Sequence, residues 1–175
     1  AAINPQVSFT GIERFEIHGT TQGDILALGA GDDRVWAGAG DDIVASGLGG
    51  DIVFADEGND LVFSQIGEVL GDGGGGAFFY LDGGAGYDGL SVDLGDAPNG
   101  VSLIMQGGTN ERDDQVATFT HGGVITGFEF IGRVGGTAFD DELWQPGRIA
   151  NEFLTGGGDD IIAPGLGIDI IDGGE

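Results

Sequence analysis

The feature that most constrains this chain is a nine-residue period that repeats five times without interruption from Gly19 to Phe63. Each unit has glycine in its first half and leucine or valine at its eighth position. The sixth position is an aspartate in every unit: Asp24, Asp33, Asp42, Asp51 and Asp60. A period this short, with turn glycines and one brief apolar stretch, predicts a parallel β-coil built from one turn and one strand per unit.

Composition supports this interpretation and excludes several others. The 175 residues include 39 glycines, which helix interiors tolerate poorly. The chain is 40% hydrophobic, too apolar for a disordered acidic tail. Its formal charge of −25, with no lysine, predicts repulsion from nucleic acid and anionic membranes and attraction for cations. No cysteine is present, which excludes thiolate metal sites, and no apolar run approaches the roughly 20 residues of a membrane span.

The organisation along the chain predicts three segments. Residues 1–63 contain lead-in strands and the first repeat array, and residues 64–126 form an irregular β-strand spacer with one isolated repeat at Gly83–Ser91. Residues 127–175 contain a second lead-in strand and a second array. Gly127–Trp144 parallels Gly11–Ala27 with one extra residue, and the last residues, Gly173 to Glu175, begin another repeat. We therefore expect the sequence to be a piece of a longer polypeptide.

The repeats resemble those of the RTX family, the haemolysin-type calcium-binding repeats of secreted bacterial proteins, whose unit is G-G-x-G-x-D-x-U-x with a large aliphatic residue at U. Four units match it closely: LGAGDDRVW at 28–36, AGAGDDIVA at 37–45, GGAGYDGLS at 83–91 and TGGGDDIIA at 155–163. The resemblance implies an all-β fold of right-handed parallel β-roll arrays with an intervening β-strand spacer. Two units would make one turn, so Asp24, Asp42 and Asp60 would form one row and Asp33 and Asp51 another.

The resemblance also implies several bound Ca²⁺ ions. Carboxylates on strands about 4.8 Å apart repel by about 1 to 3 kcal/mol for an effective dielectric constant of about 80 to 20, and a calcium ion between turns reverses this sign. Sites are expected at Asp24/Asp42, Asp33/Asp51, Asp42/Asp60, Asp141/Asp160 and Asn151/Asp169. The full set of predicted metal residues is Asp24, Asp33, Asp42, Asp51, Asp60, Asp88, Asp141, Asn151, Asp160 and Asp169, with backbone carbonyls near Gly29, Gly31, Gly38, Gly40, Gly47, Gly49, Gly156 and Gly158.

Other acidic and apolar positions give secondary expectations. The fifth-position acids Asp32, Asp41 and Asp159 are expected to be solvated turn residues. The seventh and ninth positions should face outward, yet they are apolar on both faces: Ile25, Ile43 and Leu61 on one, and Trp36, Ile52 and Phe54 on the other. Such ladders are expected to be covered. Either the spacer strands of this chain cover them, or a neighbouring domain or subunit docks there.

Together with these patterns, the resemblance implies a calcium-binding segment of a larger secreted bacterial protein that is not an enzyme. Its expected role is a calcium-rigidified structural or assembly module of a cell-surface layer, fibre or adhesin. Self-association or contact with neighbouring domains is expected, without nucleic acid binding or membrane insertion. The alternative is a C-terminal calcium-binding, secretion-associated module of a secreted enzyme or toxin. The resemblance implies an extracellular or cell-surface location reached by type I export.

Overall fold

The computed structural model describes residues 14–66, 79–95, 97, 102–106, 115–119, 123–145 and 150–175. These residues form sixteen strands, and none forms a helix that could cross a membrane. The strands are β1 (Glu16–His18), β2 (Ile25–Ala27), β3 (Arg34–Trp36), β4 (Ile43–Leu48), β5 (Ile52–Phe54), β6 (Leu61–Gln65), β7 (Tyr80–Asp82), β8 (Gly89–Asp93), β9 (Ser102–Gln106), β10 (Gln115–Phe119), β11 (Val124–Phe128), β12 (Phe130–Gly135), β13 (Glu142–Trp144), β14 (Glu152–Leu154), β15 (Ile161–Ala163) and β16 (Ile170–Asp172).

The described strands form two sheets that face each other across one core. A nine-stranded sheet has the order β1-β3-β5-β7-β11-β10-β9-β13-β15, and a seven-stranded sheet has the order β16-β14-β12-β8-β6-β4-β2. Consecutive strands of the first array therefore alternate between the sheets. All pairings are parallel except those of β10 with β9 and β11. This architecture confirms the predicted all-β parallel roll.

Two nonapeptides make one turn, as the resemblance implied. Ile25 pairs with Ile43 between β2 and β4, and Arg34 pairs with Ile52 between β3 and β5. Each pair is separated by eighteen residues, which is twice the repeat length. Because the side-chain period in a strand is two, this register keeps every eighth-position residue on the inner face.

The core consists of these eighth-position side chains from both sheets. Val35, Val44 and Val53 are fully buried, and Val62 and Leu90 are 1% and 2% exposed. Burial of each such side chain contributes about 1.5 to 3 kcal/mol. The same cluster continues into later turns through Leu81, Ile125, Ile131, Leu143 and Phe153. A single apolar core thus links the described parts of the two repeat arrays.

The described spacer strands lengthen the sheets instead of covering them. β7 pairs with β5 and β8 pairs with β6, so the isolated repeat stacks directly on the first array. β9 and β10 form an antiparallel excursion, after which β11 returns to pair with β7. The expectation that spacer strands cover the outward ladders is therefore wrong, among the described strands, for the ladder of Ile25, Ile43 and Leu61, which is exposed. The residues of the other ladder, Trp36, Ile52 and Phe54, are partly buried. The spacer strands β7 and β8 pair with the backbone of β5 and β6. Ile25, on the outer face of β2, is 79% exposed.

Candidate calcium sites

A continuous row of carboxylates crosses the seven-stranded sheet, and each carboxylate belongs to the residue just before a strand. Each one accepts a hydrogen bond from the backbone N–H of the row residue one turn earlier. Asp42 Oδ1 accepts from Asp24 at 2.6 Å, Asp60 Oδ1 from Asp42 at 2.7 Å, and Asp88 Oδ1 from Asp60 at 2.8 Å. Glu129 Oε2 then accepts from Asp88 at 2.6 Å. The structure thus unites the predicted row of Asp24, Asp42 and Asp60 with Asp88 from the isolated repeat.

In the first array, the corresponding row on the nine-stranded sheet is short. Asp33 Oδ1 accepts from the N–H of Phe15 at 2.7 Å, and Asp51 Oδ1 accepts from the N–H of Asp33 at 3.0 Å. The next residue in register is Phe79, which precedes β7 and is 2% exposed. An apolar ring therefore stands where a third carboxylate of this row would be.

The second array repeats the arrangement in both of its predicted pairs. Asp160 Oδ1 accepts from the N–H of Asp141 at 2.9 Å, and Asp169 Oδ1 accepts from the N–H of Asn151 at 3.0 Å. Asp141 and Asp160 are nineteen residues apart, and β13 and β15 pair with the same offset. The predicted pairing across the one-residue slip is therefore present in the fold.

The glycine loops bring backbone carbonyls into register beside these rows. The second-position residues Gly38 and Gly47 have φ values of 108° and 91°, a conformation that L side chains rarely adopt. A Cβ at either position would collide with a carbonyl oxygen one turn earlier, that of Thr20 or Gly29. Only glycine lets the loops stack this closely, because any side chain would push the turns apart.

Each row also holds anionic oxygens with no hydrogen-bond partner. Within the described part of the chain, the buried oxygens without a partner include Oδ2 of Asp33, Asp42, Asp51, Asp60, Asp88 and Asp160. Burial raises the pKa of Asp51 and of Asp60 to about 6. Burial, followed by the neighbouring carboxylates of Asp60 and Glu129, raises the pKa of Asp88 to about 7. A buried charge without a partner is costly, so these oxygens require a cation or a proton.

Asp24 and Asp141, at the start of each array, have a different environment. Asp24 Oδ2 accepts hydrogen bonds from the backbone N–H and the hydroxyl of Thr20, at 2.7 and 2.9 Å. The backbone N–H of Thr137 donates to Asp141 Oδ2 at 2.7 Å, and its hydroxyl donates to Asp141 Oδ1 at 2.9 Å. Both threonines stand at the second position of their loop, where Gly38 and Gly47 stand in later units. These two aspartates are thus tied to their own turn, which the repeat pattern did not predict.

The fifth-position acids form a second ladder, although they lie towards solvent. Asp41 Oδ1 accepts from the backbone N–H and the side-chain amide of Asn59, at 2.9 and 3.1 Å. Asp32 Oδ1 accepts from the N–H of Gly50 at 3.0 Å. The N–H of Asp159 donates to Asp140 Oδ1 at 2.8 Å. These acids therefore tie adjacent turns together, a role beyond the predicted solvation of a turn.

The donor set fits calcium better than a softer metal. Among the described residues, no three histidine, cysteine or acidic side chains cluster into a metal site. The rows offer carboxylate oxygens in pairs, beside loops with backbone carbonyls. Calcium takes 6 to 8 oxygen ligands, carbonyls included, in flexible geometry. The residues present, one carboxylate from each flanking turn and the carbonyls of the stacked loops, offer such oxygens.

A parallel roll whose stacked turns carry rows of buried carboxylates defines the class of calcium-binding β-rolls. The family model of the RTX calcium-binding nonapeptide repeat matches the chain in four copies, at residues 18–53, 29–62, 47–68 and 150–175. These segments are RTX repeats, and the recognition made from the sequence is confirmed. RTX nonapeptide repeats bind calcium, which supports Ca²⁺ as the ion of this chain. No curated protein matches the sequence significantly.

Proposed function

We propose that this chain is a calcium-rigidified structural module whose ions lie between stacked carboxylates. The observation that carries the proposal is the set of buried Oδ2 atoms without partners, which recur one turn apart along the rows. The proposed ligands are Asp33, Asp42, Asp51, Asp60, Asp88, Asn151, Asp160 and Asp169 with loop carbonyls. Asp24 and Asp141 contribute through the backbone of their turns, because threonine bonds engage their carboxylates.

The proposed location is extracellular or at the cell surface. RTX repeats occur in proteins secreted by type I systems, which supports this location. Before export, at low cytosolic calcium, mutual repulsion within the rows would oppose folding of a chain with a formal charge of −25. After export, calcium binding would supply folding free energy, because ligand binding to the folded state alone stabilises that state.

The proposed role is assembly into a layer, fibre or adhesin. Support comes from apolar side chains on the outer face of the seven-stranded sheet: Ile25, Ile43, Leu61 and Phe63 are 79%, 38%, 38% and 46% exposed. A contiguous apolar surface of this kind favours contact with another protein surface. The partner in this proposal is a second copy or a neighbouring domain.

Sedimentation velocity in calcium and in chelator tests the assembly role. We expect calcium-dependent association that is reduced by Ile25→Ser and unchanged by the control Glu16→Ser, which alters an exposed residue of the other sheet. A monomer at every calcium and protein concentration would contradict assembly. That result would favour the alternative of a calcium-binding, secretion-associated module of an enzyme or toxin.

A further inference from the structure

Glu129 lies at a junction where the repeat pattern is absent. The chain returns from the antiparallel excursion through β11 and enters β12 after a single residue, Glu129. No glycine loop precedes this corner, and residues 123–135 lie outside the four family matches. Even so, Phe130 pairs with Gly89 and Ile131 with Leu90, so Glu129 is in register with Asp88. The fold thus brings a glutamate to the next position of the row.

The contacts of Glu129 reproduce those of the row aspartates. Its Oε2 accepts the N–H of Asp88 at 2.6 Å, as Asp88 accepts from Asp60 and Asp60 accepts from Asp42. The residue is 4% exposed. The N–H groups of Glu129 and Phe130 donate to the carbonyl of Asp88 at 3.1 and 3.2 Å. Glutamate is one methylene longer than aspartate, which allows it to reach the row from a corner that has no loop.

Asp88 supplies an independent indication of a ligand at this junction. It is fully buried, and its Oδ2 has no hydrogen-bond partner although Oδ1 is bonded to Asp60. Two acidic side chains thus lie one turn apart away from solvent, where their repulsion is weakly screened. Arg133, a nearby cation on β12, forms an ion pair with Glu152 of the following turn, with 3.8 Å between Arg133 Nε and Glu152 Oε2.

We propose that Asp88 and Glu129 form a further calcium site, which extends the row by one turn beyond the nonapeptide repeats. The proposal rests on the calcium binding of the rows described above. The two residues are forty-one positions apart. A calcium ion shared by them closes that long segment, so the return of the chain to the coil becomes dependent on calcium.

A direct calcium count by equilibrium dialysis tests this site with Glu129→Gln. The amide oxygen of glutamine can accept the same bond from Asp88, so the variant should fold while losing the charge. At calcium concentrations that saturate a Glu16→Gln control, we expect Glu129→Gln to bind one ion fewer. Glu16 is a suitable control because it is an exposed residue of β1 in the other sheet, outside the rows. An unchanged count at every calcium concentration would show that Glu129 only completes the hydrogen-bond ladder, because a glutamine amide that still bound the ion would hold it more weakly than a carboxylate.

A second comparison keeps the proposal testable even if Glu129→Gln does not fold. Asp88→Ala and Asp51→Ala each leave one buried N–H unpaired, that of Asp60 or Asp33. Asp51 has a carboxylate neighbour on one side only, so its substitution should remove one ion. Asp88→Ala should remove two ions if Glu129 is a ligand, and one ion if the row ends at Asp88. Loss of a single ion from Asp88→Ala would overturn the proposal.

The same measurements separate failure of this site from failure of the proposed function. If the unsubstituted protein binds no calcium, calcium binding by the rows as a whole is wrong. If it binds calcium and Asp51→Ala removes an ion while Glu129→Gln removes none, only the junction site is wrong.

Discussion

The two carboxylate rows begin alike and continue differently. On the seven-stranded sheet the row runs through Asp42, Asp60 and Asp88 to Glu129, with the same N–H to carboxylate bond at every step. On the nine-stranded sheet the row of Asp33 and Asp51 stops at the buried ring of Phe79. Adjacent turns of the coil therefore meet in two ways, through stacked carboxylates or through an apolar side chain.

The outer face of the nine-stranded sheet has a longer run of neighbouring rings than the seven-stranded sheet, where Tyr87 stacks on Phe130 at 5.6 Å. The nine-stranded sheet carries a ladder of rings, with His18 stacked on Trp36 at 4.6 Å, Trp36 on Phe54 at 6.0 Å and Phe54 near Tyr80 at 5.3 Å. Stacked ring pairs contribute about 0.5 to 1.5 kcal/mol each beyond the area they bury. The sheet with the shorter carboxylate row thus has additional stabilisation that requires no cation.

Substituting Phe79 should have the largest effect of any single change. Phe79→Ala removes a buried ring and leaves a cavity beside Gly123, against which the ring packs so closely that a Cβ on this glycine would collide with it. We expect a loss of about 3 to 5 kcal/mol in the free energy of unfolding at saturating calcium. Denaturant unfolding measures this loss, and a calcium count should stay unchanged because Phe79 supplies no ligand. A change in the count would contradict the division between the two ways in which adjacent turns meet.

Paired aspartate substitutions sharpen the comparison between rows. Asp60 and Asp51 are both fully buried, and each accepts one N–H from the preceding turn. Alanine at either position leaves one buried N–H unpaired at a similar cost of about 1 to 3 kcal/mol. Asp60 lies between two carboxylates and Asp51 beside one, so we expect losses of two ions and one ion respectively. Calorimetric calcium titration measures both, and equal losses would contradict the continuous row.

A smaller effect is expected from pH in calcium-free protein. The pKa values of Asp51 and Asp60 are raised to about 6 and that of Asp88 to about 7, from an ordinary value of 3.8. Because the folded state binds these protons more tightly than the unfolded state, folding is favoured at low pH, and stability is lost as pH rises from about 4, the ordinary pKa, to about 7, the highest folded-state pKa. Far-UV circular dichroism in calcium-depleted buffer should therefore show a larger folded fraction at pH 5 than at pH 7.5. A flat profile would contradict the burial of uncompensated carboxylates.

The repeating part of this fold could be predicted from the sequence because each turn contacts the turn before it at a fixed sequence separation. The nonapeptide period predicted the strands from β2 to β6, and the RTX resemblance predicted that Asp24, Asp42 and Asp60 stack. The period also placed Val35 and Val44 inside the coil. These predictions succeeded because one turn of a coil needs only the preceding turn as its partner.

Contacts between residues separated by irregular segments could not be predicted from the repeat period. Asp60 meets Asp88 across twenty-eight residues, and Asp88 meets Glu129 across forty-one. Neither separation is a multiple of nine, and Glu129 lies in no repeat. The bonds from Thr20 and Thr137 were missed because the repeat pattern treats the second position as a turn glycine. Only the folded register reveals these partners, since it depends on how the excursion returns to the sheet.

A calcium titration followed by far-UV circular dichroism, started from chelated protein, tests the central claim most directly. The claim is that calcium between row carboxylates makes the folded coil stable. We predict a cooperative gain of β-structure on adding calcium, with no equivalent transition in magnesium, which requires stricter octahedral geometry. A chain already fully β in chelator, and indifferent to calcium, would contradict the claim and reduce the rows to a hydrogen-bonded ladder.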